Sequence, residues 1–420
     1  MARSSSGTWL GTDRRVLALA VARMADAMGN SFLVIVLPLY VASDVVTGRL
    51  FGVPSSLVAG VVLALFGIAS SIAQPLAGRL SDRLGKRKIF VLGGLLVFSL
   101  VTLAFVAATQ YWELFALRVV QGTAAAFTIT ASIALVNEGS QPDTRGRHMG
   151  VYNSFRLVGF GAGPLLASTV LEMGPYGLPG GGVLSGFQAT FGIAAAAALL
   201  SAGLVVLLVD DPEETAPSSR RLAIRVWREE GRGLDPIFVL GLATLVMAAC
   251  IALLSAIEPE VNERLNQGPI LFSVEFVALI ASLAVLQPFV GRASDEWGRT
   301  PFILVGLVGL VPTTLGQGLV DTPWEMIGMR VLQGGAGALV FAPALALAGD
   351  YTSRGQSGTQ LSVLTVSFGL GIATGQITAG FFVQYGFVVP FAVSAGLAVG
   401  AVVLVYTQVH NRLPSGAAAG

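Results

Sequence analysis

The sequence predicts an all-α membrane protein in which twelve transmembrane helices form two pseudo-symmetric six-helix bundles. Three observations carry this. The chain is 54% hydrophobic and 12% charged, with a mean hydropathy of +0.76, too apolar for a soluble chain of 420 residues. About a dozen windows reach the roughly 20 apolar residues needed to cross a hydrocarbon core about 30 Å thick. One charged turn, "GRLSDRLGKRK" at residues 78–88, returns as "GRASDEWGRTP" at 291–301.

The windows cover residues 15–42, 53–77, 88–108, 111–138, 147–170 and 186–209, then 235–258, 270–290, 301–320, 323–350, 355–382 and 387–408. Lipid offers no partner to an unpaired backbone group, so every window should be helical. The short connections make consecutive helices antiparallel neighbours. Residues 1–15 carry arginines without a cleavable signal pattern, so the first span is expected to remain. Basic residues crowd alternate loops, among them Arg14, Arg15, Arg79, Arg83, Lys86, Arg87, Arg147 and Arg299, whereas the other loops hold little beyond Arg49 and Arg264. By the positive-inside rule the first set is cytoplasmic, and both termini of this multi-pass cell-membrane protein lie with it. The long polar stretch at 210–234 reads as a cytoplasmic linker between bundles at 1–209 and 235–420. Within it Leu222, Ile224, Val226 and Trp227 fit either a short helix on the membrane face or part of a solvated tether.

A net charge of +1, with no basic tract interleaved with aromatics, excludes nucleic acid as a partner. The single cysteine, Cys250, excludes a disulfide framework, and His148 and His410 are too far apart to suggest a metal site. No nucleophile with a base and no phosphate loop is found, so neither an enzyme nor a cofactor is expected.

Gly78 and Gly291, Asp82 and Asp295, and Gly85 and Gly298 are all related by one offset of 213 in the numbering. A second motif agrees closely, since "RVVQGTAAA" from Arg118 returns as "RVLQGGAGA" from Arg330 at an offset of 212. A duplicated helical unit of this kind is a construction rule of secondary transporters. With these motifs and the order of twelve helices, the chain resembles the major facilitator superfamily over essentially its whole length. The loop matches that superfamily's signature at Gly78, Leu80, Asp82, Arg83, Gly85, Lys86, Arg87 and Lys88. Gly78 and Gly85 permit a tight turn, and Asp82 can accept from helix N-terminal amides or pair with an arginine. Gly78, Asp82, Arg83, Gly85 and Arg87 therefore read as a cytoplasmic gate, with a weaker copy in the second half. The alternative is that these charges only fix topology.

An ionised side chain at mid-bilayer costs about 3 kcal/mol on insertion scales, so each one needs a partner or a wet cavity. In the first span Arg23, Asp26 and Asn30 share one helical face, with Asp26 roughly 16 Å beyond Arg15. The fourth span brings in Arg118; the fifth brings Asn153 and Arg156, the latter roughly 13 Å from Arg147. "DAMG" followed by "VLP" in the first span resembles the tetracycline and multidrug proton antiporters, with Ile35 where that pattern has its first proline. In the fifth span Gly150, Gly159, Gly163 and Pro164 resemble the antiporter signature, with Ala167 and Ser168 replacing a usual glycine pair. Gly159 and Gly163 would let a neighbouring helix approach closely, in an antiporter device or in ordinary small-residue packing. At an offset of 213 Gly163 and Pro164 fall on Gln376 and Ile377, so only the first half is expected to keep the device. Asp26 and Arg118 are expected to form an ion pair that exchanges a proton with the outside; the alternative is a structural pair that never titrates. The position matching Asp26 is Val239, which leaves Glu275 either to pair with Arg330 or to serve as a surface acid near a helix start.

Asn30, Gln121, Asn153, Gln333, Gln360 and Gln376 offer hydrogen bonds on otherwise apolar spans, a lining that suits a moderately lipophilic small molecule. Arg23, Arg118 and Arg156 outnumber Asp26 and could attract an anion. Proton-driven efflux by a monomer is therefore the leading expectation. The rivals are an organic-anion exchanger, an uptake symporter and a membrane sensor that binds ligand without moving it.

Overall fold

The computed structural model describes residues 8–9, 12–43, 45–46, 52–140, 144–211, 226–227, 233–351 and 357–409, and excludes the side chains of residues 8–15, 145 and 357–362. Twelve helices among the described residues are long and apolar enough to cross a membrane. In chain order the helices are α1 (Arg14–Ala42), α2 (Ser55–Leu84), α3 (Arg87–Ala104), α4 (Tyr111–Glu138), α5 (Arg145–Met173), α6 (Gly186–Leu208) and α7 (Pro236–Ala252). They continue with a short α8 (Glu258–Leu265), then α9 (Pro269–Trp297), α10 (Arg299–Gln317), α11 (Pro323–Asp350), α12 (Ser357–Phe382) and α13 (Val389–Gln408).

Local chemistry starts several of these helices. Asp235 caps α7 by accepting from the amides of Ile237 and Phe238, ahead of Pro236, whose missing N–H costs nothing at a first turn. Gln110 with Glu113 on α4, and Thr322 with Glu325 on α11, form capping boxes at matching points of the two halves. Side chains such as Ile72, Leu100, Leu207 and Val305 stand largely exposed on the spans, as a lipid-facing surface requires.

The chain divides into two compact units, residues 1–52 with 65–219 and residues 53–64 with 220–420. In the first, α1 packs on α5 and α6, and α3 packs on α4 and α6. In the second, α7 packs on α12 and α13, and α10 packs on α11 and α13. The same pairing thus holds twice. Glycines make it possible at equivalent points: a Cβ on Gly94 would lie 2.6 Å from the Ala124 carbonyl oxygen, and one on Gly306 would lie 2.8 Å from that of Ala336.

Two expectations change. α2 and α9 run past the predicted apolar windows to Leu84 and Trp297, so Gly78 lies inside a helix and takes no part in a turn. Gly85 and Gly298 make the break instead, with φ of +64° and +94°, a region where a side chain is strained. In the linker Trp227 bridges to Leu234 in antiparallel fashion, so that end is not helical; Leu222 and Ile224 lie outside the described residues.

Candidate functional site

The charged turn forms a closed network within each unit. Arg87, at the first residue of α3, donates to Ser81 Oγ at 2.9 Å, to Asp82 on α2 and to Glu138 Oε1 at the end of α4 at 2.7 Å. One guanidinium thereby ties three helix ends together. In the second unit Arg299 pairs with Asp295 Oδ1 at 2.9 Å and with Asp350. Asp295 matches Asp82 and Asp350 matches Glu138. The copy is wetter: the Arg87 side chain is 3% exposed and its acids 17% and 18%, against 21% for Arg299 and 58% and 44% for its acids. Water screens the second network, so it holds less strongly. Arg83 points into the open. Glu138 and Asp350 were not singled out from sequence, although the offset that relates Arg118 to Arg330 relates them too and was a readable signal.

Asp26 is buried, as its depth in the first span implied, but the expected partner is wrong. Its carboxylate pairs with Arg23, one turn earlier on α1. Arg118 instead donates to Gln121 Oε1 at 2.7 Å, and its guanidinium lies over the Phe66 ring at 4.6 Å from the centroid. The reason is geometric, because i and i+3 positions stack on one helical face and the pair closes without help from another helix. A small cavity beside the pair is lined by Leu95 of α3, Thr128 and Ser132 of α4 and Ser201 of α6. Ser201 itself donates to the Ala22 carbonyl oxygen at 2.7 Å. Tyr152, a buried α5 residue that the sequence reading passed over, brings its phenol within electrostatic reach of Arg23, Asp26 and Arg156. Its place four residues before Arg156 on one helix face was the available clue.

The Arg118 arrangement is duplicated. Gln121 passes the chain of donors on to Thr102 Oγ1 at 2.9 Å; in the second unit Arg330 donates to Gln333 Oε1 at 2.8 Å, and Gln333 donates to Thr314 Oγ1 at 3.2 Å. Arg330 also donates to the Ile251 carbonyl oxygen at 3.1 Å. Glu275 is wholly buried, so it is no surface acid; it accepts from Gln267 Nε2 at 2.8 Å and meets Arg330 only through space.

On α5, a Cβ at Gly159 would overlap the Met24 carbonyl oxygen and one at Gly163 would overlap Ser31 Oγ, so both glycines admit α1 into close contact. Gly150 has open space around it and makes no such approach. The expectation that the second half lacks the device is overturned for its glycines. Gly371 and Gly375 on α12 stand against the Leu245 and Ala249 carbonyl oxygens of α7, and they match Gly159 and Gly163 at an offset of 212. Only the proline is lost, replaced at that register by Gln376, which donates to Ser255 Oγ at 3.3 Å. The correct offset is 212 beyond the charged turn because Lys86 has no counterpart in the second copy.

The other polar candidates are scattered. Asn153 is exposed, Asn30 and Arg156 are half-buried, and Gln121 and Gln333 are fully buried in the networks above. The Gln360 side chain lies outside the described residues.

A family model described as the Major Facilitator Superfamily matches residues 19–254 and 239–419. The chain belongs to the major facilitator superfamily. It is accordingly a multi-pass membrane protein of the secondary-transporter class. Among curated members of the superfamily it is similar to the Multidrug resistance protein MdtG of Citrobacter koseri, 28% identical over 370 residues that make up 86% of each chain. MdtG of Escherichia fergusonii is 28% identical over 386 residues, 90% of each chain. Solved superfamily structures share the fold: a peptide transporter POT has a TM-score of 0.76 at 15% identity, covering 96% of this chain and 95% of that one. The human organic anion transporter MFSD10 has a TM-score of 0.66 at 20% identity, covering 93% of this chain and 99% of that one.

Proposed function

We propose that the protein is a proton-coupled exporter of a small, moderately lipophilic organic molecule, working by alternating access with both termini in the cytoplasm. The observation that carries this reading is the buried Arg23–Asp26 pair in α1, set beside a cavity edged by Thr128, Ser132 and Ser201. A buried ion pair that loses one charge leaves the other uncompensated, at a cost of about 3–5 kcal/mol. Protonation of Asp26 therefore forces Arg23 to seek new partners, and Tyr152 on α5 is at hand. The glycine contacts at Gly159 and Gly163 hold α5 against α1, so a rearrangement at Asp26 is passed on to α5. Arg118, held by Gln121 and Phe66, serves as a fixed charge of the same unit and not as the exchanging partner. The network of Asp82, Arg87 and Glu138 acts as the cytoplasmic gate, with Gly85 supplying its turn. The relatives named as multidrug resistance proteins support efflux as the direction.

Transport of a panel of lipophilic fluorescent dyes into proteoliposomes under a pH gradient tests the reading. Asp26→Asn should abolish the gradient-driven component while dye binding persists; undiminished driven transport removes Asp26 from the mechanism. A second reading, organic-anion exchange, is favoured by Arg156, which has no acidic partner among the described residues, and by the fold shared with MFSD10. Uptake driven by a trans anion without a pH gradient would select it.

A further inference from the structure

The second unit holds acids that the Asp26 mechanism leaves unused. Glu258 opens α8 just beyond the seventh span, after the tight turn Leu253–Ala256 and ahead of Pro259; Glu275 lies in the second turn of α9. Both side chains are 0% exposed. Neither carboxylate oxygen of Glu258 receives a hydrogen bond, and Glu275 is satisfied at one oxygen only, by Gln267 Nε2 at 2.8 Å. From α8 onward, Glu260 Oε2, Gln267 Oε1 and Gln376 Oε1 are further buried acceptors without donors, whereas Asn262 Nδ2 and Arg330 Nε are donors without acceptors. Unfilled acceptors therefore outnumber unfilled donors six to two.

Such a surplus calls for a ligand that brings donors or removes charge, because two uncompensated buried carboxylates are costly. With no exposed surface on either acid, an organic cation has no room. Among the described residues no group of three acidic, histidine or cysteine side chains is placed to hold a metal ion. A proton meets the need in one step: it removes a charge and turns an acceptor into a donor.

We propose that Glu258 and Glu275 form a second proton-binding site, in the second unit, whose proton is taken from water and returned to it in each transport cycle. This rests on the reading of the protein as a proton-coupled transporter. The other charged groups of α8 are Glu260, Glu263 and Arg264, and Arg330 on α11 acts on Glu275. Arg264 is drawn off to Asp321 at 2.7 Å, leaving Arg330 as the cation that faces Glu275. Burial pushes the Glu258 carboxyl well above the ordinary carboxylate range, and Glu275 adds to that shift. Loss of the proton leaves Glu258 charged beside Glu275, and the repulsion favours a closer approach of Glu275 to Arg330, which would tighten α9 against α11.

Infrared spectra of the full chain in lipid nanodiscs, titrated with acid and base alone, read carboxylic-acid groups directly. A protonated carboxyl band should persist at neutral pH, disappear in Glu258→Gln, shift its midpoint in Glu275→Gln and survive in Asp26→Asn. Proteoliposomes loaded with a lipophilic dye should move fewer protons per dye with Glu258→Gln than with the unsubstituted chain. A neutral-pH spectrum without the band, or a band indifferent to both glutamine variants, overturns the site even if Asp26→Asn abolishes coupling. A band that Glu258→Gln removes with no change in proton stoichiometry overturns the exchange step. Should Glu258→Gln fail to fold, Glu275→Gln keeps Glu258 in place, and its band midpoint decides alone.

Discussion

Gly159 has no space for even a methyl group, since the backbone of Met24 already occupies that position. Overpacking against backbone costs about 1–3 kcal/mol, because the carbonyl cannot swing aside as a side-chain tip can. Gly159→Ala should therefore lower the apparent thermal midpoint of the detergent-solubilised protein, whereas Gly150→Ala, with nothing within 4 Å, should leave it unchanged or raise it. Equal effects at the two positions would show that α1 and α5 do not meet as closely as described. Single residues were unevenly legible in the sequence. Asp26 could be placed at depth by counting residues, and the closeness of Gly159 and Gly163 to a neighbouring helix followed from their spacing. The partner of Asp26 could not be found in the same way. A helix apolar on every side gives no sign of how it is rotated, so the direction in which Arg118 points was invisible. Arg23, by contrast, needed only the helical period.

At the scale of elements, the two charged turns allow a controlled comparison, since one chemistry stands in a drier and a wetter setting. Arg87 is nearly enclosed and serves two carboxylates on two other helices; removing it takes this cation from both acids. Breaking a buried pair costs about 3–5 kcal/mol, against about 0–1 kcal/mol for an exposed one. Arg87→Gln should therefore destabilise the protein severely and Arg299→Gln only slightly, as read from folded yield and thermal midpoint in detergent. A larger loss at Arg299 would reverse the ranking of the two gates. The membrane spans themselves were plain in the sequence because hydropathy measures the property that the bilayer selects. Their ends were less plain. α2 continues through Arg79, Asp82 and Arg83 to Leu84, because helical hydrogen bonding does not stop where the apolar run does; it stops at Gly85, which adopts a left-handed φ.

Across the whole molecule, duplication explains most of the architecture and its failure explains the chemistry. Arg87, Arg118, Gln121, Thr102, Gly159 and Gly163 all have counterparts in the second half at the shared offset of 212, whereas Asp26 does not, its register falling on apolar residues. A one-residue slip hid part of this, because the offset of 213 taken from the charged turn no longer applies once Lys86 is passed. The acids of the second half stand elsewhere, at Glu258, Glu260 and Glu275, where no symmetry argument pointed. Their placement gives the molecule a pH-dependent stability whose sign can be derived. Burial raises Glu258 and Glu260 above the ordinary carboxylate range, so the folded state binds protons that the unfolded chain has already released. Stability contributed by this uptake is greatest at and below the ordinary carboxylate range and is lost as pH rises through the raised values. Thermal midpoints in detergent should therefore fall with rising pH over that window. Glu258→Gln should flatten the decline, leaving a smaller slope of the same sign from Glu260, and should make the variant relatively more stable at the alkaline end. A slope that Glu258→Gln leaves unchanged would mean that Glu258 is ionised and solvated in the folded protein.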